Sequence, residues 1–169
     1  MCKSIALLSS KTIRIGTCIA LEAIKERRFA VTKALSESEA WAVINAGRMG
    51  HLGCIDKEEP YVVPINYLVA DGRIYSHSLP GRKIRSLRNH ARACLQVDQI
   101  RNDFHWQSAI AFGDFEEVND EVERTAILRQ LLDRFPELTP VESYLAREGT
   151  WEVIVFCLRI DRVTGVCEE

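Results

Sequence analysis

The 169-residue sequence predicts a mainly β protein, a six-stranded antiparallel barrel with peripheral helices. Two observations predict it. Apolar runs of strand length follow one another with short polar turns between them, the pattern of an antiparallel meander. Helical patterns do not alternate with those runs, which argues against a doubly wound parallel sheet. The length favours one domain, expected over residues 31–169. Residues 1–30 read as an N-terminal extension, in which "IALEAIKERRF" has helical composition.

The elements follow in order. "SESEAWAVINAG", residues 36–47, opens with Ser36 and carries Glu39 three residues later, a capping box. Trp41 and Ile44 share one helical face, and Gly47 sits where a C′ glycine would end the helix. "HLGCI", the turn "DKEEP", "YVVPINYLV", the turn "ADG" and "RIYSHS" read as three strands of a meander. Pro64 demotes the second of these to an edge, or marks backbone groups paired with something other than a strand. "RKIRSLRNH" reads as a short helix. "ARACLQVDQI" and "WQSAIAFGDFEEV" read as two further strands, with a bulge or kink at Gly113. Residues 120–135, "DEVERTAILRQLLDRF", form the clearest helix, with Val122, Ala126, Leu128 or Arg129, and Leu132 on one face. "TPVESYLARE" repeats the capping pattern with Thr139, Pro140 and Glu142. "WEVIVFCLRIDRVTG" is a long final strand.

The bulk numbers narrow the function. Hydrophobic residues make up 47% and charged residues 27%, both ordinary for a soluble domain. The net charge of -2 leaves no global basic footprint for nucleic acid, so any phosphate site must be local. The six cysteines include no C-x-x-C pair and no zinc spacing, so no metal is expected. Cys54, Cys94 and Cys157 lie in apolar runs and read as small hydrophobes of a reducing, cytoplasmic compartment. "SIALLSS" is short for a signal segment, and no run is long enough to span a membrane.

One stretch poses a chemical question. In "YSHSLPGRKIRSLRNH", residues 75–90, a strand runs through a Pro-Gly corner into a helix. Ser76 and Ser78 share one face of that strand and His77 takes the other. Arg82 and Lys83 then open the helix, where cations oppose the macrodipole. Hydroxyls, free helix N–H groups and two cations together suit a phosphate, which would remove that conflict. "GRMGHLG" has the wrong glycine spacing and the wrong element order for a dinucleotide fold. It reads as a helix-ending glycine and small packed residues, or as a strand that a flat ligand approaches while Arg48 reaches a charge. "VVPINY" reads as an edge strand, or as backbone offered to a planar heterocycle.

The ordered set is specific where its members are not. A capped helix leads into "GRMGHLG", then "PYVVPINYLV", "GRIYSHSLPGRKIRSLRNH", "ACLQVD", "WQSAIAFGDFEEV" and "IDRVTG". From about Ser36 to Gly165 this resembles the pyridoxamine 5′-phosphate oxidase-like flavin-binding family, in particular its nitroimidazole-resistance branch. The resemblance implies an FMN-binding split β-barrel, built as a homodimer with flavin at the subunit interface. It implies that Arg48 and Lys83, helped by Arg82 and Ser78, hold the flavin phosphate. The segment from Pro64 through Asn66 to Tyr67 would line the isoalloxazine, its backbone groups facing the polar edge, and Met49, Gly50 and His51 would also be cofactor-binding residues. Ser76 and His77 would lie near the ring, and Gln107 and Ser108 would reach it from the partner. His77 is the candidate for a protonic, catalytic role.

The C-terminal Trp- and Arg-containing segment with which true pyridoxamine 5′-phosphate oxidases bind substrate is not evident in "RIDRVTGVCEE". Reduction of a nitro compound, a quinone or another small acceptor is therefore the expected activity. The rival reading is a non-enzymatic carrier of flavin or haem. A nucleic-acid role for the Arg82–Arg92 cluster is disfavoured by the net charge and the absence of clustered strand aromatics.

Overall fold

The computed structural model describes residues 32–137 and 153–168. Within them the chain forms β1 (Thr32–Ala34), α1 (Glu37–Ala46), β2 (Met49–Asp56), β3 (Glu59–Asn66), β4 (Leu68–Ala70) and β5 (Arg73–Ser78). It continues with α2 (Arg82–Asn89), β6 (Arg92–Asn102), β7 (His105–Glu117), α3 (Glu121–Arg134) and β8 (Ile154–Glu168). The expected helix at 139–148 and the N-terminal extension lie outside the described residues.

The strands form one antiparallel sheet in the order β3-β2-β6-β7-β8-β5-β4, with β1 on β8. The sheet is curled but not closed, and β3 and β4 are its edges. The predicted class holds, with eight strands in place of six. The two additions, β1 and β4, span three residues each, too few to show a period of two. β4 is the tail of "YVVPINYLV", cut from β3 at Tyr67. Pro64 lies on an edge strand, where its missing N–H is tolerated.

Local chemistry explains the connections. The β2–β3 hairpin turns on Lys57 and Glu58 at φ 49° and 70°, and the β4–β5 hairpin on Asp71 and Gly72 at φ 50° and 71°. Two left-handed residues in a two-residue loop match the twist of the strands they join. The bulge expected at Gly113 is present: the β7–β8 register shifts between Phe112 and Gly113. A side chain there would run into the Arg159 backbone.

Alternation divides the side chains between two clusters. Leu52, Cys54, Ile65, Leu95, Val97, Ala109, Ala111, Phe156 and Leu158 fill the inside of the curl. Helix α1 adds Ala40, Val43 and Ile44 to this core, and α2 adds Ile84 and Leu87. Helix α1 leads through Gly47 and Arg48 into the start of β2, while α2 is tied to its last residue, Asp56. Outside the curl, α3 covers Leu68, Tyr75, Val155 and Cys157 with Ile127 and Leu131. The face expected for α3 is therefore wrong: Val122 and Leu132 are exposed. The i, i+4 pair Ile127–Leu131 meets the sheet, and Phe135 just beyond the helix extends that contact. Among the described residues no helix is long and apolar enough to cross a membrane.

Gly47 ends α1 as expected, but not by a left-handed turn; its φ is −71°. Space is the constraint. A Cβ at Gly47 would collide with the Tyr67 hydroxyl and lie 2.6 Å from Val97 Cγ1. Gly47→Ala is expected to destabilise the fold by about 1–3 kcal/mol. In a Tyr67→Phe background the cost should fall, since one colliding atom is gone. Urea denaturation of the two single variants and the double variant measures this; strict additivity would contradict it.

Candidate functional site

The two edges of the sheet meet where β3 passes into β4. Tyr67 sits there with no exposed surface, and its hydroxyl donates to the Ile44 carbonyl at 2.5 Å. Burial pushes its pKa up to about 12, so it stays a neutral donor. Beside it the Ser76 Oγ donates to the Asn66 carbonyl at 2.7 Å, joining β5 to the end of β3. The register sets Met49 against Asn66, Gly50 against Ile65 and His51 against Pro64. Six sequence candidates therefore share one corner, Met49, Gly50, His51, Pro64, Asn66 and Ser76. Tyr67 joins them through its backbone, since its N–H donates to the Arg48 carbonyl at 3.3 Å while its ring is core.

Met49, His51 and Pro64 are exposed on the outer face of β2 and β3. There a polar chain crosses three strands. The His51 Nδ1 pairs with Gln96 Oε1 at 3.2 Å, and Gln96 Nε2 donates to Ser108 Oγ at 3.0 Å and to Asp98. Because Oε1 can only accept, His51 donates from Nδ1. Ser108 is thus linked to His51 through Gln96, a residue the sequence reading passed over. Alternation of Gln96 and Asp98 with buried Leu95 and Val97 was its signal. Gln107 has the opposite facing, opposite Cys167 and Gln99, in a recess with Arg101, His105, Trp106 and Glu168.

The corner from Ser76 to Lys83 is only partly as expected. Ser76 and Ser78 do share a face, and His77 lies on the Tyr75 face, toward the side that α3 covers. Ser78 Oγ donates to the Leu79 carbonyl at 2.9 Å. Lys83 Nζ lies 6.0 Å from the Phe156 ring centroid, and Phe156 is the register partner of Ser76. The lysine is thus brought to the Ser76 side. Arg82 is turned elsewhere. Its Nε donates to Asp56 Oδ2 at 2.6 Å, and its guanidinium lies 4.3 Å from the Tyr61 ring. Ser86 Oγ donates to the other Asp56 oxygen at 2.8 Å. The anion that the helix start requires for Arg82 comes from the chain itself. In sequence Asp56 is only the first residue of the polar turn "DKEEP"; its signal is two cations opening a helix that has no carboxylate in its own first turn.

Arg48 is directed away from Arg82. Its Nη2 donates to the Arg134 carbonyl at the end of α3, and its guanidinium lies 4.9 Å from the Phe135 ring. Arg134 Nη2 returns a bond to the Gly47 carbonyl at 2.6 Å. Arg134 carried no sequence signal beyond a cation in a last helical turn.

Comparison with known proteins assigns the class. Residues 36–166 match the model of the pyridoxamine 5′-phosphate oxidase family, and the chain belongs to that family. An uncharacterized protein of Rhizobium meliloti (strain 1021) is 27% identical over 142 residues, 79% of this chain and 93% of the relative. An FAD-binding protein of Mesorhizobium loti superposes with a TM-score of 0.66 at 28% identity, covering 83% of this chain and 98% of its own. A provisionally assigned 5-nitroimidazole antibiotic resistance protein of Bacteroides thetaiotaomicron superposes at 0.65 and 22% identity, over 83% and 90%. The FAD and heme binding protein of Mycobacterium smegmatis superposes at 0.62 and 23%, over 81% and 74%. At those last two identities the likeness is one of fold.

The hydrogen bonds from Ser86 and Arg82 hold the Asp56 carboxyl below the ordinary carboxylate range. A folded-state pKa below the unfolded one stabilises above the unfolded value, and that contribution is lost as pH falls through the folded value. Asp56→Asn should therefore lower stability at neutral pH, and its deficit against wild type should shrink on acidification. Thermal unfolding from pH 7 downward reads this; a deficit independent of pH would contradict the ionic role.

Proposed function

We propose that the chain binds a flavin, FMN by preference, at the corner where β2, β3 and β5 meet. One observation carries the reading: the register brings Met49, Gly50 and His51 against Pro64, Ile65 and Asn66, with Ser76 bonded to Asn66 and Lys83 on its side. The chemistry of that donor set fits. Edge strand β3 offers backbone groups pointing away from β2, suited to the polar rim of a planar heterocycle. Ser78, Lys83 and the first N–H groups of α2 suit a phosphate. The flavin-binding relative at 28% identity supports the same class of cofactor.

A bound flavin would supply two-electron redox chemistry, and the protein would hold and tune it. The activity we infer is reduction of a small acceptor such as a nitro compound or a quinone. We further infer a homodimer through the outer face of β2, β3, β6, β7 and β8. There Met49, Val62, Ile100 and Val166 are exposed around the polar chain of His51, Gln96 and Ser108, apolar area of the kind a second copy would cover. Ser108 lies on this face, and Gln107 lies in the recess at the end of the β6–β7 hairpin. Both would complete the partner's site.

A carrier without turnover is the second reading. It is favoured by His77, the candidate proton donor, lying on the opposite face of β5 from Ser76 and Ser78. The visible spectrum of the purified protein, before and after adding FMN, tests cofactor binding. Shifted flavin bands are expected, with weaker retention in Lys83→Ala; a colourless protein that FMN does not alter would overturn the proposal. Steady oxidation of NADH or NADPH with a nitro or quinone acceptor separates the two readings. Bound flavin without turnover leaves the carrier.

A further inference from the structure

We propose that the recess at the end of the β6–β7 hairpin selects the acceptor: a planar aromatic compound carrying a carboxylate, with Arg101 pairing the charge and Trp106 stacking the ring. That the recess borders a flavin rests on the flavin and homodimer readings above. The selectivity itself rests on the hairpin alone.

The hairpin tip is built locally. Asn102 Oδ1 accepts from the Phe104 N–H at 2.9 Å and from His105 Nδ1 at 3.0 Å. The register pairs Ile100 with Trp106 and Asn102 with His105, so Arg101 is the extra residue of a bulge. A bulge re-aims the side chain it carries. Here Arg101 lines a cavity of about 320 Å³ with Gln99, His105, Trp106, Gln107 and Glu168. That volume is at the low end for small-molecule sites. Trp106 Nε1 donates to Glu168 Oε2 at 2.9 Å, which fixes the indole by its edge and engages the one carboxylate among those six residues. Gln99 and Gln107 are register partners across the two strands. Among the described residues Arg101 has no ion pair.

A solvated arginine at a hairpin tip accounts for the missing ion pair. It does not account for a bulge that sets that arginine in one cavity with an edge-fixed indole and a pair of amides. A guanidinium offers its donors in a planar fork, the pattern a carboxylate fills with two parallel bonds. The Trp106 ring supplies apolar area for a flat partner. Glu168 opposes an anion, but one of its oxygens is held by the indole and the charge of Arg101 offsets it. Gln107 ties the recess to the cofactor, because it is the residue inferred to reach the partner's flavin. Arg101 lies two positions beyond Gln99, the register partner of Gln107. Of the acceptor classes inferred above, a neutral quinone would use only the indole side of the recess. A nitroaromatic acid would use both sides.

Equilibrium dialysis of the FMN-loaded full chain, without reductant, against para-nitrobenzoate and para-nitrobenzamide tests the recess. The two compounds share a ring and differ in charge. Wild type should bind the acid about tenfold or more tightly than the amide, the worth of a charge-assisted bond pair. Arg101→Gln should erase that preference and leave the amide unchanged, and Arg101→Lys should recover part of it. Equal binding of the two compounds by wild type, or a preference that survives Arg101→Gln, would overturn the proposal. Trp106→Leu should weaken both compounds alike; unchanged binding would overturn the stacking role. If Trp106→Leu does not fold, wild type decides. Acetate, which has the charge without the ring, should then bind far more weakly than para-nitrobenzoate; equal binding would overturn the stacking role. The flavin bands should shift when the acid binds; unshifted bands would overturn the assignment of the recess to the acceptor. If no FMN binds at all, the flavin reading falls separately. The aromatic-acid site then stands if the flavin-free chain shows the same preference and Arg101→Gln loses it, and falls otherwise.

Discussion

Much of this structure depends on one buried tyrosine. The sheet has two edges, and the chain crosses from one to the other in a single residue, Tyr67. Its hydroxyl is fixed to the end of α1, its N–H to the carbonyl of Arg48, and its ring leaves no room for a side chain at Gly47. Four features are positioned at once: the end of α1, the entry to β2, the exit of β3 and the start of β4. An edge strand containing proline could not be held by ladder bonds on its outer side. Tyr67 and the Ser76–Asn66 bond hold it there instead. The corner they define keeps backbone groups available without closing the sheet over them.

Charge is arranged around that corner with economy. The chain is nearly neutral, and the ion pairs among the described residues are mostly on solvated surface, where each contributes little to stability. Asp56 is the instructive exception. It is more covered than Arg82, accepts from two groups and orders the start of α2. In doing so it leaves Arg82 committed to the protein while Lys83 is turned toward Ser76. Two adjacent cations that look equivalent in sequence therefore have separate duties. Arg48 and Arg134 differ from the remaining arginine pairs in a simple respect: their described partners are carbonyls and an aromatic ring.

The sequence made the architecture legible because its punctuation is local. A capping box at Ser36 and Glu39, polar two-residue turns and a glycine at the bulge each act within a few residues. The order of motifs then carried the family. What escaped was set by distance or by brevity. β1 and β4 are too short to show alternation. The buried face of α3 was misjudged because Val122 and Leu132 are as apolar as Ile127 and Leu131, and only the sheet selects between them. Gly47 was recognised for its place and not its reason, which lies 20 residues away at Tyr67. Asp56, Gln96 and Arg134 belong to the same class. Each acts through a partner far along the chain, and only folding brings the two together.

The central claim is that the flavin occupies the corner where the two edges of the sheet meet. Hydrogen–deuterium exchange of the purified protein, with and without FMN, tests it most directly. The account predicts slowed exchange at residues 49–51, 64–67 and 76–83, with little change along β6 near its paired centre. Protection confined to other segments, or none when FMN is bound, would contradict it.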